Sequence, residues 1–248
     1  MPDAILTKGD LPHWYVPGRA HFVTFRLFGT LPRDVLDELR QQKEEWLKQP
    51  IAKGESLVQQ RERIHMQLFA RYDRYLDQGT GECWLKDPCV AALVRRSLYH
   101  LHGKQYDLKV FCIMPNHVHV VFVPYPNVVD ASRIQVPSKI EPDGCGTHPP
   151  REVGEQLDQQ SPLSRIMHSL KSFTAHEINK LLNRTGSVWQ RESYDHWIRD
   201  ENEFERIVHY LNANPMEAKL CARPQDWFWC SAHDRFLFDG DTTGLLRW

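Results

Sequence analysis

The sequence predicts a mixed α/β domain of the α+β kind, and three observations carry that prediction. AHFVTFRLF (20–28) alternates with period two, placing Phe22, Thr24 and Arg26 on one face and Val23, Phe25 and Leu27 on the other, so it reads as a strand. QYDLKVFCIM and HVHVVFVP, separated by Pro115-Asn116, read as a β-hairpin over 105–123, with Tyr106, Leu108, Val110 and Cys112 sharing a face. Five runs with helical spacing surround these strands.

Each helical run has a start or a stop. Pro32 opens the first, PRDVLDELRQQKEEWLKQ, whose stripe is Val35, Leu36, Leu39 and Trp46. After the break at 50–54, ESLVQQRERIHMQLFARYDRYLDQ forms a second, closed by Gly79. Asp87-Pro88 begins a third, PCVAALVRRSLYHLH, which Gly103 ends. Ser161-Pro162 caps a fourth, LSRIMHSLKSFTAHEINKLL. Asp200-x-x-Glu203 resembles a capping box before ENEFERIVHYLNAN, with Phe204, Ile207 and Leu211 as its apolar stripe and Pro215 as its expected stop. SVWQRESYDHWI (187–198) has the aromatic, β-leaning character of a strand or hairpin, and the aromatic tail DWFWCSAHDRFLF is expected to pack on the core. The stretch at about 124–160, rich in Pro and Gly and without periodicity, reads as a flexible insert within one domain spanning 1–248.

Composition narrows the function classes. The chain has 248 residues, net charge -1 and a pI near 6.9, so any nucleic-acid surface must be local. No apolar run reaches membrane-spanning length, and MPDAILTKGDLPH lacks a signal-peptide hydrophobic stretch, so no membrane partner and a cytoplasmic location are expected. The cysteines, Cys83, Cys89, Cys112, Cys145, Cys221 and Cys230, form no C-x-x-C pair, which favours reduced thiols over a zinc knuckle or a disulfide framework.

Two histidine–hydrophobic–histidine triplets occur. His100-Leu101-His102 lies at a helix end, where residues two apart point about 200° away from one another. His117-Val118-His119 lies on a strand, where such residues project from the same face, so only this pair converges. The two rings are either hydrogen-bonded core histidines or half of a metal site. On the last helix Tyr210 and Asn214 are four apart and share a face. An amide oxygen at Asn214 can complete a His-His-Asn site, with Tyr210 beside it. Equally, Tyr210 fits a core-edge aromatic and Asn214-Pro215 a plain helix stop.

MPNHVHVVFVP, Ser169-Leu170-Lys171-Ser172-Phe173-Thr174 and VWQRESYDHWIRDENEFERIVHYLNANPMEAKL together resemble the REP-associated tyrosine transposases. These are single-tyrosine HUH transposases of prokaryotic insertion sequences. The likeness covers about 20–30 and 84–220, leaving a helical insertion at about 32–80 and the 124–160 insert outside it. It implies a ferredoxin/RRM-like fold with a central antiparallel sheet. It also implies Tyr210 of Tyr-x-x-x-Asn-Pro as nucleophile, and His117, His119 and Asn214 as ligands of Mg²⁺ or Mn²⁺, with Zn²⁺ also acceptable to imidazole. The implied activity is metal-dependent nicking and rejoining of single-stranded DNA at hairpins or repeats, through a covalent 5′-phosphotyrosine. A non-cleaving hairpin-binding protein and a hydrolase of small phosphoesters are the competing readings. Expected DNA contacts are Arg26, Arg165, Lys171 and Ser172, together with Arg95, Arg96, Lys104 and Lys109 interleaved with Tyr99 and Tyr106. The sequence leaves open whether the chain is a monomer or a homodimer.

Overall fold

The computed structural model describes residues 5–7, 13–126 and 161–234. Strands β1 (Ile5–Thr7) and β2 (His13–Tyr15) pair antiparallel with each other. The main sheet contains β3 (His21–Arg26), β4 (Tyr106–Ile113), β5 (His117–Pro124) and β6 (Tyr194–Trp197), in the order β4-β5-β3-β6. All neighbours are antiparallel. With a helix in each crossover this is the order of a ferredoxin-like βαββαβ unit, so the expected mixed fold with a central antiparallel sheet is the observed one. Most of the expected 124–160 insert lies outside the described residues. The five described cysteines are free thiols.

Two helices cover one face of the sheet. Helix α3 (Pro88–Leu101) starts at Asp87, whose side chain accepts the Cys89 N–H, and α4 (Pro162–Leu181) starts at Ser161. Their apolar sides, Val90, Val94 and Leu98 and Ile166, Leu170 and Ile178, pack on Val23, Phe25, Val118 and Val120. The other face receives α5 (Glu201–Glu217), through Phe204, Val208 and Leu211 against Phe22, Val110 and Val121. Ile207, expected in that stripe, is half-buried and Val208 is fully buried. The insertion between β3 and α3 is a helical hairpin of α1 (Arg33–Lys48) and α2 (Leu57–Asp77), joined by a small core of Leu39, Ile64 and Leu68. Ser56 and Gln59 close a reciprocal capping box at the start of α2. Phe69 carries this hairpin onto the α5 face of the sheet.

Two sequence expectations are corrected. Tyr106, Leu108, Val110 and Cys112 do not share a face: the β4–β5 register shifts between Leu108 and Val110. The extra residue, Lys109, is a β-bulge that reverses the alternation. Tyr106 and Leu108 therefore pack with α3 and α4, and Val110 and Cys112 with α5. Pro215 does not stop the last helix, which continues to Glu217. Pro215 removes the hydrogen bond its N–H would have made to Leu211 O and crowds that carbonyl, and the helix runs only to Glu217. The stop comes at Lys219, in the left-handed region at φ 58°, with the Leu220 N–H on Pro215 O and the Lys219 N–H on Met216 O. The 187–198 segment, expected as a strand or hairpin, supplies the strand β6 at its end and a bridge from Trp189 to Leu27.

Candidate active site

On β5, His117 and His119 point to the α5 face, opposite Arg26 and Thr24 of β3. Both are fully buried, and their Nε2 atoms lie 2.9 Å apart. From α5, Asn214 Nδ2 comes to 3.4 Å from His119 Nε2 and to 3.3 Å from the Tyr210 hydroxyl. The fourth element is α2. Asp73 Oδ1 lies 3.4 Å from His119 Nε2 and 4.0 Å from His117 Nε2, and Asp73 Oδ2 accepts a short hydrogen bond from the Tyr210 hydroxyl. The donor atoms of Asp73, His117 and His119 all fall within 4.8 Å of one another. Thus the four residues singled out from sequence, His117, His119, Tyr210 and Asn214, come together, and an aspartate joins them.

The outer hydrogen bonds fix which imidazole nitrogens face inward. Asn116 Nδ2 donates to Leu76 O at 2.9 Å, so Asn116 Oδ1 is turned to His117 Nδ1, 2.6 Å away. An amide oxygen only accepts, so His117 carries its proton on Nδ1 and presents a lone pair at Nε2. His119 Nδ1 sits 2.7 Å from the Thr24 hydroxyl, which can donate or accept. Either His119 Nε2 donates its proton to His117, or both lone pairs face a shared cation. The neutral rings needed for ligation are assured by burial, which pulls His117 down to about 3 and His119 well below its ordinary value, the latter helped by His117.

The acidic side of the site is held against its solvation preference. Burial raises Asp73 to about 6, against the Tyr210 hydrogen bond and with help from Glu217. Asp77, one turn along α2, is raised to about 7 by burial and by the charges of Asp73 and Glu217. Burial, with the charges of Asp73 and Asp77, pushes the Tyr210 phenol far above its usual value, so without added positive charge it stays protonated. Asp73 Oδ1, Asp77 Oδ1 and Asn214 Oδ1 are buried and, among the described residues, accept no hydrogen bond. Such orphaned acceptors cost about 1–3 kcal/mol each, and a cation among them would recover that.

Sequence reasoning missed Asp73 and Asp77. A signal was present: Phe69, Asp73 and Leu76 follow helical spacing, so a carboxylate stands on an otherwise apolar stripe of the helix. The expected DNA contacts are more scattered. Arg95 is bonded to Asp234 and lies over Phe228, and Tyr99 also donates to Asp234 at 2.6 Å. Lys109 pairs with Asp107 at 2.9 Å, Lys104 lies against His100, and Arg96 is exposed. Tyr106 is buried, donating to Leu98 O, so it presents no ring for stacking. On α4, across the sheet from the histidines, Arg165 and Lys171 are half-buried and Ser172 is exposed. Lys171 donates to Arg191 O, and burial lowers it to about 8. Arg26 alone of these shares the histidine face of the sheet.

No family model matches the chain. A Haemophilus influenzae protein named as a REP-associated tyrosine transposase is 23% identical over 140 residues, 56% of this chain and 66% of that protein. A second Haemophilus influenzae protein, uncharacterised, is 27% identical over 114 residues, 45% of this chain and 56% of that protein. The matches thus span less than two thirds of either relative's length. Among solved structures, a REP-associated tyrosine transposase bound to a REP hairpin aligns with TM-score 0.47 and 13% identity over 97% of this chain and 99% of that one. Among the described residues no helix is long and apolar enough to cross a membrane. By sequence, the chain is similar to a protein named for the family its motifs resemble, the REP-associated tyrosine transposases.

Proposed function

We propose that this chain is a metal-dependent single-stranded DNA transesterase that nicks and rejoins hairpin or repeat DNA through Tyr210. The observation that carries this reading is the hydroxyl of Tyr210 on Asp73 Oδ2, while Asp73 Oδ1 stands unbonded beside two inward imidazole nitrogens. The donor set fits a divalent cation. Two neutral imidazoles, a carboxylate oxygen and an amide oxygen suit Mn²⁺ or Mg²⁺ completed by phosphate oxygens. His117 and His119 Nε2 and Asp73 Oδ1 would hold it, with Asn214 Oδ1 joining once its amide is turned over, an exchange of nearly isosteric atoms. Bound there, the cation would supply Lewis acidity toward a non-bridging oxygen of the scissile phosphate.

The chain's own groups do the rest. Asn116 and Thr24 fix the imidazoles from behind. Asp73 Oδ2 orients the phenol and stands in place to take its proton as the Tyr210 oxygen bonds to phosphorus. The bond from phosphorus to the 3′-oxygen breaks, that oxygen leaves with the electron pair and gains a proton, and the 5′ side remains esterified to Tyr210. A phenolate is a better leaving group than an alkoxide, so the ester stays competent for attack by a 3′-hydroxyl. Phe22 and Phe69, packed edge-on to the Tyr210 ring, keep bulk water from the ester.

The test is a denaturing gel of protein with a labelled single-stranded hairpin oligonucleotide. A covalent adduct is expected with Mn²⁺ or Mg²⁺, none in chelator, and none from Tyr210→Phe. An adduct of equal yield in chelator, or from Tyr210→Phe, would refute the reading. Hairpin binding with no adduct in any metal would leave a binding protein in its place.

A further inference from the structure

Beside the site, a cavity of about 440 Å³ opens between the α1–α2 hairpin and the β3–β6 edge of the sheet. It lies within the roughly 300–1,000 Å³ range of ligand-sized clefts. Its inner wall is continuous with the metal-type site. Thr24, which holds His119, and Leu76, whose carbonyl holds Asn116, both line it. Arg26, the cross-strand neighbour of His117, lines it next to Thr24.

The charge in this cleft is unusual. Arg26 is half-buried, donates to the Thr30 hydroxyl at 3.0 Å, and among the described residues forms no ion pair. A guanidinium withdrawn from water without a carboxylate is costly, and burial lowers its pKa. On the facing wall, α1 offers Lys43 and Arg40, three apart on one side of the helix, the latter also bonded to Asp37 at 3.1 Å. Glu44 and Glu192 also line the cleft, so its ionised groups sum to one positive charge (Arg26, Arg40 and Lys43 against Glu44 and Glu192). That balance suits one phosphodiester, not the dense charge of a duplex backbone. Leu36, Leu47 and Tyr72 add an apolar and aromatic surface for the flat face of an unpaired base, beside the polar His65, Gln190 and Ser193.

We propose that this cleft binds the nucleotide adjoining the scissile phosphate of a single strand, with its phosphodiester on Arg26 and its base against Leu36 and Tyr72. This rests on the transesterase reading for the identity of the strand, and its test is separable from cleavage. It gives the α1–α2 insertion a role as one wall of the substrate path.

The experiment is equilibrium binding of a fluorescent single-stranded oligodeoxynucleotide by anisotropy, across salt concentrations and in chelator, so that no cutting occurs. Arg26→Gln should lower the slope of log affinity against log salt by about 0.7, the value of one single-strand phosphate contact. Arg40→Glu, at an exposed position that does not threaten the fold, should weaken binding and lower the slope at least as much. Leu36→Trp, filling the cleft, should weaken binding with no change in the slope per contact retained. All three should keep the wild-type gain in melting temperature on adding Mn²⁺. Wild-type affinity and slope in both Arg26→Gln and Arg40→Glu would overturn the cleft, even with adduct formation intact. Loss of binding in these variants, with no adduct ever formed by the wild type, would retain the cleft and overturn the transesterase.

Discussion

Asp73→Asn separates the two things Asp73 does. In the metal-free protein its carboxylate is raised from 3.8 to about 6, mainly by burial. A folded-state value above the unfolded one means the unfolded chain ionises first as pH rises. The folded state therefore loses stability between about pH 4 and 6, and the penalty is complete above that. At 1.36 kcal/mol per pKa unit the cost at pH 8 is about 3 kcal/mol. Asparagine is neutral and can still accept the Tyr210 hydroxyl, surrendering about 1 kcal/mol of charge assistance. The net gain of about 2 kcal/mol should raise the melting temperature of chelated protein by roughly 4–8 °C. With Mn²⁺ at a hundredfold excess over its dissociation constant, the wild type should gain about 2.7 kcal/mol, and Asp73→Asn should gain far less. The stability order thus reverses between chelator and metal. Scanning calorimetry at pH 8 with each addition reads this directly, and repeating it at pH 4 should close the chelator gap. An Asp73→Asn protein less stable than wild type in chelator, yet fully stabilised by Mn²⁺, would refute the reasoning.

Four further outcomes follow from the geometry. His117→Ala with His119→Ala should abolish both the Mn²⁺-linked melting shift and the covalent adduct, whereas His100→Ala should leave both unchanged. Tyr210→Phe should lose the adduct and keep the Mn²⁺ shift, while Tyr194→Phe should lower adduct yield only modestly, because its ring is held by stacking on Phe69 and His65, which the substitution keeps. Asn116→Ala removes the acceptor that holds the His117 tautomer and should weaken Mn²⁺ binding about 10–100-fold by titration calorimetry. Gly81→Ala should destabilise by roughly 1–3 kcal/mol in urea unfolding, since Gly81 has φ 75° and an added Cβ would lie 2.6 Å from Gly29 O.

What could be read from sequence was whatever a local period encodes. The alternation of 20–28 and of 117–123 placed the histidines on one face, and the i, i+4 spacing of Tyr210 and Asn214 stacked them. The bulge at Lys109 escaped because alternation assumes an unbroken count, and nothing in YDLKVFCI marks where a residue leaves the ladder. Pro215 misled because a proline weakens a helix without ending it at once: the helix continues to Glu217 and turns off at Lys219. Asp73 was hidden for a different reason. Its partners lie 44 and 137 residues away (117 and 210 against 73), and only the docking of Phe69 onto the sheet turns its carboxylate toward them.

The Lys109 bulge also governs what the sheet can join. Strand β4 is an outer strand, and an outer strand exposes a row of backbone groups that can template a foreign strand. Toward its end this row is already taken: the Ile113 N–H donates to Trp229 O and the Phe111 N–H to the Ser231 hydroxyl. Toward its start, the bulge breaks the spacing that an incoming strand would need, and Lys109 and Asp107 set a charged pair there. Between the C-terminal segment and the bulge, β4 offers no uninterrupted register. A strand added across that edge would meet occupied backbone groups at one end and a charged, broken register at the other.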